Sequence, residues 1–183
     1  MDKKVYVFLA DGFEEVEALT PVDVLRRADI NVTTVSISNS LTVTGSHQIS
    51  VLADALFTDL EFSDADMLVL PGGLPGTHHL NDHKELINLL LEFSAKGKLI
   101  GAICAAPLIL GQQKLLENKN ATCYPGFEDN LINADYTAQP VEVADNIITG
   151  QGVGAAMKFA LQLVAMFKGD EFTNELAQKM VVS

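Results

Sequence analysis

Cys104 stands between an apolar run, Lys98-Leu-Ile-Gly-Ala-Ile103, and a helix-forming stretch, Ala105-Ala-Pro-Leu-Ile-Leu110. A strand running into a thiol and then into a helix sets the sulfur beside free backbone N–H groups. The partial positive charge at a helix start favours thiolate over thiol. Free cysteine titrates near ~8.5, and such settings bring it to roughly 3.5–7.5. The segment alone supports two readings, a nucleophile and a buried core cysteine. A nucleophile also needs donors for a developing oxyanion. Gly72-Gly73 and the Ala105 amide could supply them, since glycine lets backbone N–H groups approach a substrate closely. A tight strand-to-loop turn would need the same glycines.

The carboxylates of Asp11-Gly-Phe-Glu-Glu-Val-Glu17 form the second chemical cluster. Glu14 and Glu15 sit near a helix start, where the dipole favours acids. Glu17 falls between Val16 and Ala18-Leu19, on the inward side. A buried carboxylate must be paired or become neutral. Neutral Glu17 could donate a hydrogen bond to a thiolate; ionised Glu17 would repel it and raise the thiol pKa. The two would titrate as a coupled pair.

The four histidines, His47, His78, His79 and His83, read as surface or loop residues, with His78-His79 close enough to the Gly-Gly turn to reach the same rim. There is no CxxC or HExxH, so no metal site is expected. The residue after the cysteine is Ala105, so a Cys–His pair of sequence neighbours is absent and a protease is disfavoured. Gly150-Gln-Gly152-Val-Gly154 follows a strand and opens a helix, but no further strand and acidic residue follow at the spacing of a dinucleotide site. Close helix packing or an anionic pocket explains it better.

The elements that must position these residues alternate strand and helix. Strands are expected at Lys4–Leu9, Asn31–Ile37, Asp66–Leu70, the run into Cys104, Ala121–Tyr124, Val141–Val143 and Asn146–Thr149. Leu41–Thr44 and Gln48–Leu52 flank Gly45-Ser46 as a hairpin on the main sheet. Glu14–Leu19 reads as one helical turn, with a second helix opened by Thr20-Pro21 and reaching Arg27. Lys84–Ala95 is an amphipathic helix closed by Gly97; Ala155–Phe167 is a long helix closed by Gly169, before a short helix over Glu171–Met180. Alternating strands and helices imply an α/β domain over residues 1–183, its mainly parallel sheet covered on both faces. Ligands bind at the carboxyl ends of such strands. The first, third and last main strands and the strand before Cys104 end in the acidic cluster, Pro71-Gly72-Gly73, Gly150–Gly154 and the thiol.

The chain has 183 residues, 48% hydrophobic and 20% charged, with net charge −12. That acidity repels phosphate backbones and argues against nucleic-acid binding. Two cysteines, Cys104 and Cys123, are too few for a disulfide framework and suit a reducing compartment. The apolar run after Met1-Asp2-Lys3-Lys4 is too short for a signal peptide, and no stretch is long enough to span a bilayer. A cytoplasmic protein without a membrane segment is expected.

Leu9-Ala-Asp-Gly-Phe-Glu-Glu-Val-Glu17, Thr20-Pro-Val-Asp-Val-Leu-Arg-Arg-Ala28, Val69-Leu-Pro-Gly-Gly73 and Ala102-Ile-Cys-Ala-Ala-Pro107, in this order and with the final glycine turn, resemble the ThiJ/PfpI superfamily. The branch most similar contains the parkinsonism-associated deglycase and its bacterial relatives. The resemblance implies a flavodoxin-like three-layer sandwich, an oxidation-sensitive nucleophile at Cys104, a partner carboxyl at Glu17, and oxyanion donors at Gly73 and Ala105. Gly72, Tyr124 and Gly152 would line the pocket. It also implies a homodimer involving the first helix and no metal or organic cofactor. Two positions depart from relatives: Ala105, where protease-like members have His, and Tyr124 before Pro125, where the animal branch has His. The implied activity is glutathione-independent glyoxalase or deglycase chemistry on a small reactive aldehyde or glycated substrate. The alternative is a redox sensor or stress chaperone.

Overall fold

The computed structural model describes residues 3–182, so the Met1-Asp2 start lies outside the described residues. Strand β1 (Lys4–Leu9) leads into helix α1 (Glu15–Arg27) and β2 (Asn31–Ser36). Short strands β3 (Thr42–Thr44), β4 (Ser50–Leu52) and β5 (Ala55–Leu56) follow, then β6 (Met67–Leu70), α2 (Gly76–Asp82) and α3 (Lys84–Ala95). Next come β7 (Leu99–Ile103), α4 (Pro107–Gln112), β8 (Asn120–Ala121), β9 (Asp135–Tyr136), β10 (Val141–Ala144), β11 (Ile147–Gly150) and α5 (Ala156–Lys179).

The main sheet has seven strands in the order β10-β11-β7-β6-β1-β2-β5. Every neighbour in it is parallel except β10 and β11, which pair antiparallel. Successive side chains of β1 face opposite layers, as strand geometry demands. Val5, Val7 and Leu9 pack towards α1 and α5; Tyr6 and Phe8 pack towards α2, α3 and α4. This is the expected three-layer α/β sandwich with a mostly parallel sheet. Its long parallel strands run β2-β1-β6-β7-β11, the flavodoxin-like order, which places the crevice between β1 and β6.

Four local expectations change. First, α1 is one helix running through Pro21 rather than two. Proline removes the N–H that would bond the Glu17 carbonyl, but packing of α1 on α5 and the sheet carries the helix past it. Second, the β3–β4 hairpin forms its own two-stranded sheet and clasps the loop after β1: Gly12 N–H donates to Thr44 O at 2.8 Å and Ser46 N–H to Phe13 O at 2.8 Å. Third, pairing at Ala121–Tyr124 stops at Ala121, where β8 meets β9, a strand not expected from sequence. Fourth, α2 fills the segment after the Gly-Gly turn, which has too few apolar residues to announce a helix. The break at Gly169 is where expected; its φ of 79° and ψ of 170° end the first half of α5.

Phe159 explains two glycines in the central strands. A Cβ at Gly101 or at Gly150 would lie 3.1 Å from its ring, so the bare backbones of β7 and β11 make room for it. Phe159 is fully buried. Phe159→Ala should therefore destabilise the fold by about 3–5 kcal/mol, the range for deleting a buried aromatic ring, read from urea denaturation. A loss below about 1 kcal/mol would show that the ring anchors nothing.

Candidate active site

The crevice between β1 and β6 brings three loops together. Cys104 follows β7, next to β6 in the sheet, and its backbone is held from two sides. Its N–H donates to Gly150 O at 2.9 Å, and Tyr124 N–H donates to its carbonyl at 2.8 Å. Cys104 takes φ of 65°, the left-handed region that non-glycine residues enter at a cost of roughly 1–3 kcal/mol. The clamps hold it there and turn the sulfur out of the sheet end. The thiol is partly exposed, whereas Cys123 is buried in the core with its pKa pushed up to about 12 by desolvation.

Glu17 is fully buried, although it follows Val16, which is about half exposed. Placing the acid inside and the valine outside reverses the ordinary partition of side chains. One carboxylate oxygen, Oε2, accepts the Gly72 N–H at 3.0 Å; the other, Oε1, is buried with no hydrogen-bond partner. Gly72 lies between the two reactive groups. A Cβ there would sit 2.5 Å from Glu17 Oε2 and 2.6 Å from the Cys104 Cβ, so only glycine fits.

Burial pushes Glu17 up to about 7, with the charge of Glu14 adding to the rise. Burial also pushes Cys104 up, and an ionised Glu17 pushes it further through its charge and its hydrogen bond. The backbone N–H groups of Ala105 and Gly73 reach the sulfur and pull the other way. The low-pKa thiol expected from a helix end alone is thus not what burial and Glu17 produce. Helix α4 begins only at Pro107 and has six residues, so it offers little dipole. The two groups resist losing both protons: above about 7 they share one, and thiolate forms when it sits on Glu17.

The structure thus brings together Cys104, Glu17, Gly72, Gly73 and Ala105. Tyr124 and Gly152 lie to one side: a Cβ at Gly152 would touch the Tyr124 ring at 3.1 Å. They line a cavity of about 350 Å³ with Pro125, Pro140, Val153 and Lys158. Cys104 is not in its lining, so this space adjoins the thiol rather than enclosing it.

The histidines have assignments that sequence did not reveal. His47 Nδ1 lies 2.9 Å from Glu15 Oε2, and its backbone N–H donates to Glu15 Oε1 at 2.8 Å, so buried Glu15 pins the β3–β4 hairpin. Glu14, Glu15 and His47 place ligand-type atoms within 4.8 Å of one another, but hydrogen bonds within the clasp already engage the Glu15 oxygens. His79 Nδ1 meets the Asp11 carbonyl at 3.0 Å, on the rim, and His83 caps α3 by accepting the Leu86 N–H. Sequence reasoning also missed the role of Glu14. Its side chain caps α1 by accepting the Glu17 N–H at 2.8 Å. The three-residue spacing from Glu14 to Glu17, that of a capping box, was the available signal.

The raised Glu17 pKa has a consequence for stability. In the unfolded chain the carboxyl ionises near its ordinary 4.5, and in the fold near about 7. The neutral form therefore contributes stability that is complete below about 4.5 and lost as pH rises through about 7. Glu17→Gln, which never ionises, should gain on the wild type over that interval by on the order of 2–3 kcal/mol. Urea midpoints of both proteins across the interval check this; a constant difference would mean that Glu17 ionises as freely as in water.

Comparison with known proteins agrees with this architecture. The DJ-1/PfpI family profile matches residues 3–166. The chain is 35% identical over 185 residues to Protein dj-1beta of Drosophila melanogaster, covering 100% of this chain and 99% of that one. It is 37% identical over 180 residues to Protein DJ-1 homolog B of Arabidopsis thaliana, covering 98% of this chain but 41% of the relative, so it spans less than half of that protein. Among solved structures, the oxidized DJ-1 of Toxoplasma gondii superposes with a TM-score of 0.93 at 33% identity, covering 99% of both chains.

Proposed function

The chain belongs to the DJ-1/PfpI family, and on that premise we propose that it is a cysteine-dependent, glutathione-independent glyoxalase or protein deglycase acting on methylglyoxal or its amine adducts. One observation carries the reading. The Glu17 carboxyl and the Cys104 side chain meet across Gly72, where a Cβ would lie 2.5 Å from Glu17 Oε2 and 2.6 Å from the Cys104 Cβ, and the Gly73 and Ala105 N–H groups favour the thiolate.

The chemistry follows from that convergence. With the shared proton on Glu17, the thiolate attacks the aldehyde carbon and a C–S bond forms. The carbonyl oxygen takes the electron pair, faces the two backbone N–H donors, and receives the Glu17 proton to complete a hemithioacetal. Glu17, now a carboxylate, removes the proton from that carbon, the hydroxyl proton passes to the neighbouring carbonyl oxygen through the enediol, and Glu17 returns its proton to the neighbouring carbon. The product is a hydroxyacyl thioester. Water cleaves it to the hydroxy acid and regenerates the thiol, so the net reaction adds one water to methylglyoxal and gives lactate. With an amine adduct, the free amine leaves as well. No step calls on a metal or organic cofactor. A cytoplasmic setting keeps both cysteines reduced; no helix among the described residues is long and apolar enough to cross a membrane.

A second reading, a redox sensor or stress chaperone, draws on the same N–H groups, which could hold a sulfinate as well as an oxyanion. The relative solved in an oxidized form favours it. Purified protein incubated with methylglyoxal should release lactate, and Cys104→Ala and Glu17→Gln should each lower the rate by roughly 10²-fold or more. Lactate formation that survives Cys104→Ala would refute the enzyme reading. Negligible turnover in the wild type, with uptake of two oxygens by Cys104 in intact mass after mild peroxide, would establish the second reading instead.

We also propose a homodimer formed through α1. Val16, Leu19 and Ile49 are exposed apolar residues around a groove of about 420 Å³ that also includes Met157. A second copy would cover this apolar face, with Asp23 at its edge. Sedimentation should give the mass of two chains, and Leu19→Glu that of one; a wild type that sediments as a single chain overturns the proposal.

A further inference from the structure

Three hydrogen bonds close a ring beneath the reactive pair. Glu14 N–H donates to the Gly72 carbonyl at 2.9 Å. Gly72 N–H donates to Glu17 Oε2 at 3.0 Å. Glu17 N–H donates to Glu14 Oε2 at 2.8 Å. Glu14 thus holds both ends of the site's proton chemistry. Through its backbone it fixes the Gly72-Gly73 turn, whose next N–H reaches the sulfur. Through its side chain it fixes the first turn of α1, which carries Glu17.

Glu14 also sets a charge there. Its side chain is 14% exposed, and the nearest basic group, His47 Nδ1, lies 3.9 Å away and is bound more closely by Glu15 at 2.9 Å. The groups around Glu17 are Glu14 from the loop before α1, Cys104 from the turn after β7 and the Gly72 N–H after β6; Glu15 and His47 reach the cluster from α1 and the hairpin. Among the residues that interact with Glu17, none is basic.

We propose that Glu14 is a positioning residue for the Cys104–Glu17 pair, acting through this ring and through the negative charge it places beside Glu17. The inference rests on the reading of Cys104 and Glu17 as a proton-sharing pair. A negative neighbour makes Glu17 the better place for the shared proton, and the partnerless Oε1 is the atom that can carry it. Glu14's charge acts on Glu17, the group whose N–H its side chain accepts. Removing it therefore moves the proton from the carboxyl to the sulfur and lowers the thiolate fraction.

The test follows the rate of Cys104 alkylation by iodoacetamide against pH in the full-length chain, with the modified residue located by peptide mass. Glu14→Gln keeps an oxygen to cap α1 and loses the charge; Glu14→Asp keeps the charge. Glu14→Gln should shift the inflection to lower pH and lower the plateau rate by roughly three- to tenfold. Glu14→Asp should restore both, and circular dichroism should show both variants folded. Glu14→Gln indistinguishable from wild type, or both variants equally impaired, overturns the role of the charge. The underlying pair fails separately: a wild type with one ordinary thiol inflection near ~8.5, unchanged by Glu17→Gln, removes the pair itself.

Discussion

Glu17, fully buried, and Cys104, partly exposed, compete for a single proton. Moving a carboxylate out of water disfavours its charge, and a thiolate beside it suffers the same penalty together with the repulsion between the two. The pair therefore resists holding two negative charges. Much of the surrounding architecture follows from that constraint. Gly72 has no side chain because the two groups meet across its Cα. The Gly73 and Ala105 N–H groups face the sulfur because some dipole must favour its anion when Glu17 is protonated. The left-handed backbone at Cys104 is the conformation that turns the sulfur towards them, and bonds from Gly150 and Tyr124 keep it there.

The sheet supplies the rigidity. Bringing β1, β6 and β7 side by side makes three loops, remote in sequence, end within one crevice. Strain at Cys104 is tolerable because β7 is a central strand, paired on both sides and covered by both helical layers. The clasp of Glu15 and His47 works at the other end of the same problem. It ties the hairpin to the start of α1, so the acidic loop is held along its length rather than only at β1.

Much of this was legible in the residues. Strand runs and the Gly97 and Gly169 stops follow from local composition, which nearby contacts do not contradict. Cys104, Glu17 and the Gly-Gly turn were legible because each stands at a strand end or breaks a burial pattern. What was not legible depends on contacts between distant segments. Pro21 looks like a helix start until α5 packs against α1. Glu15 looks like a dipole residue until the hairpin arrives to bond it. The coupling of the thiol to Glu17 is legible in sequence, but the desolvation that contributes most to raising the thiol is a property of the folded crevice.

No histidine among the described residues is one of the groups that act on the Cys104 sulfur, and this sharpens the chemistry that the crevice favours. Peptide hydrolysis by a thiol needs a group that takes the thiol proton and later delivers one to a departing amine, and imidazole does both near neutral pH. Here Ala105 follows the thiol and Tyr124 bonds its carbonyl, and Glu17 is the titratable group that acts on the sulfur. A lone carboxyl near about 7 is suited to a narrower task, in which it releases a proton to one atom and carries another between adjacent carbons of the same bound molecule. That task calls for reach over a bond length or two rather than a second base. Reactive dicarbonyls set such a task, because the carbon that loses a proton and the carbon that gains it are neighbours.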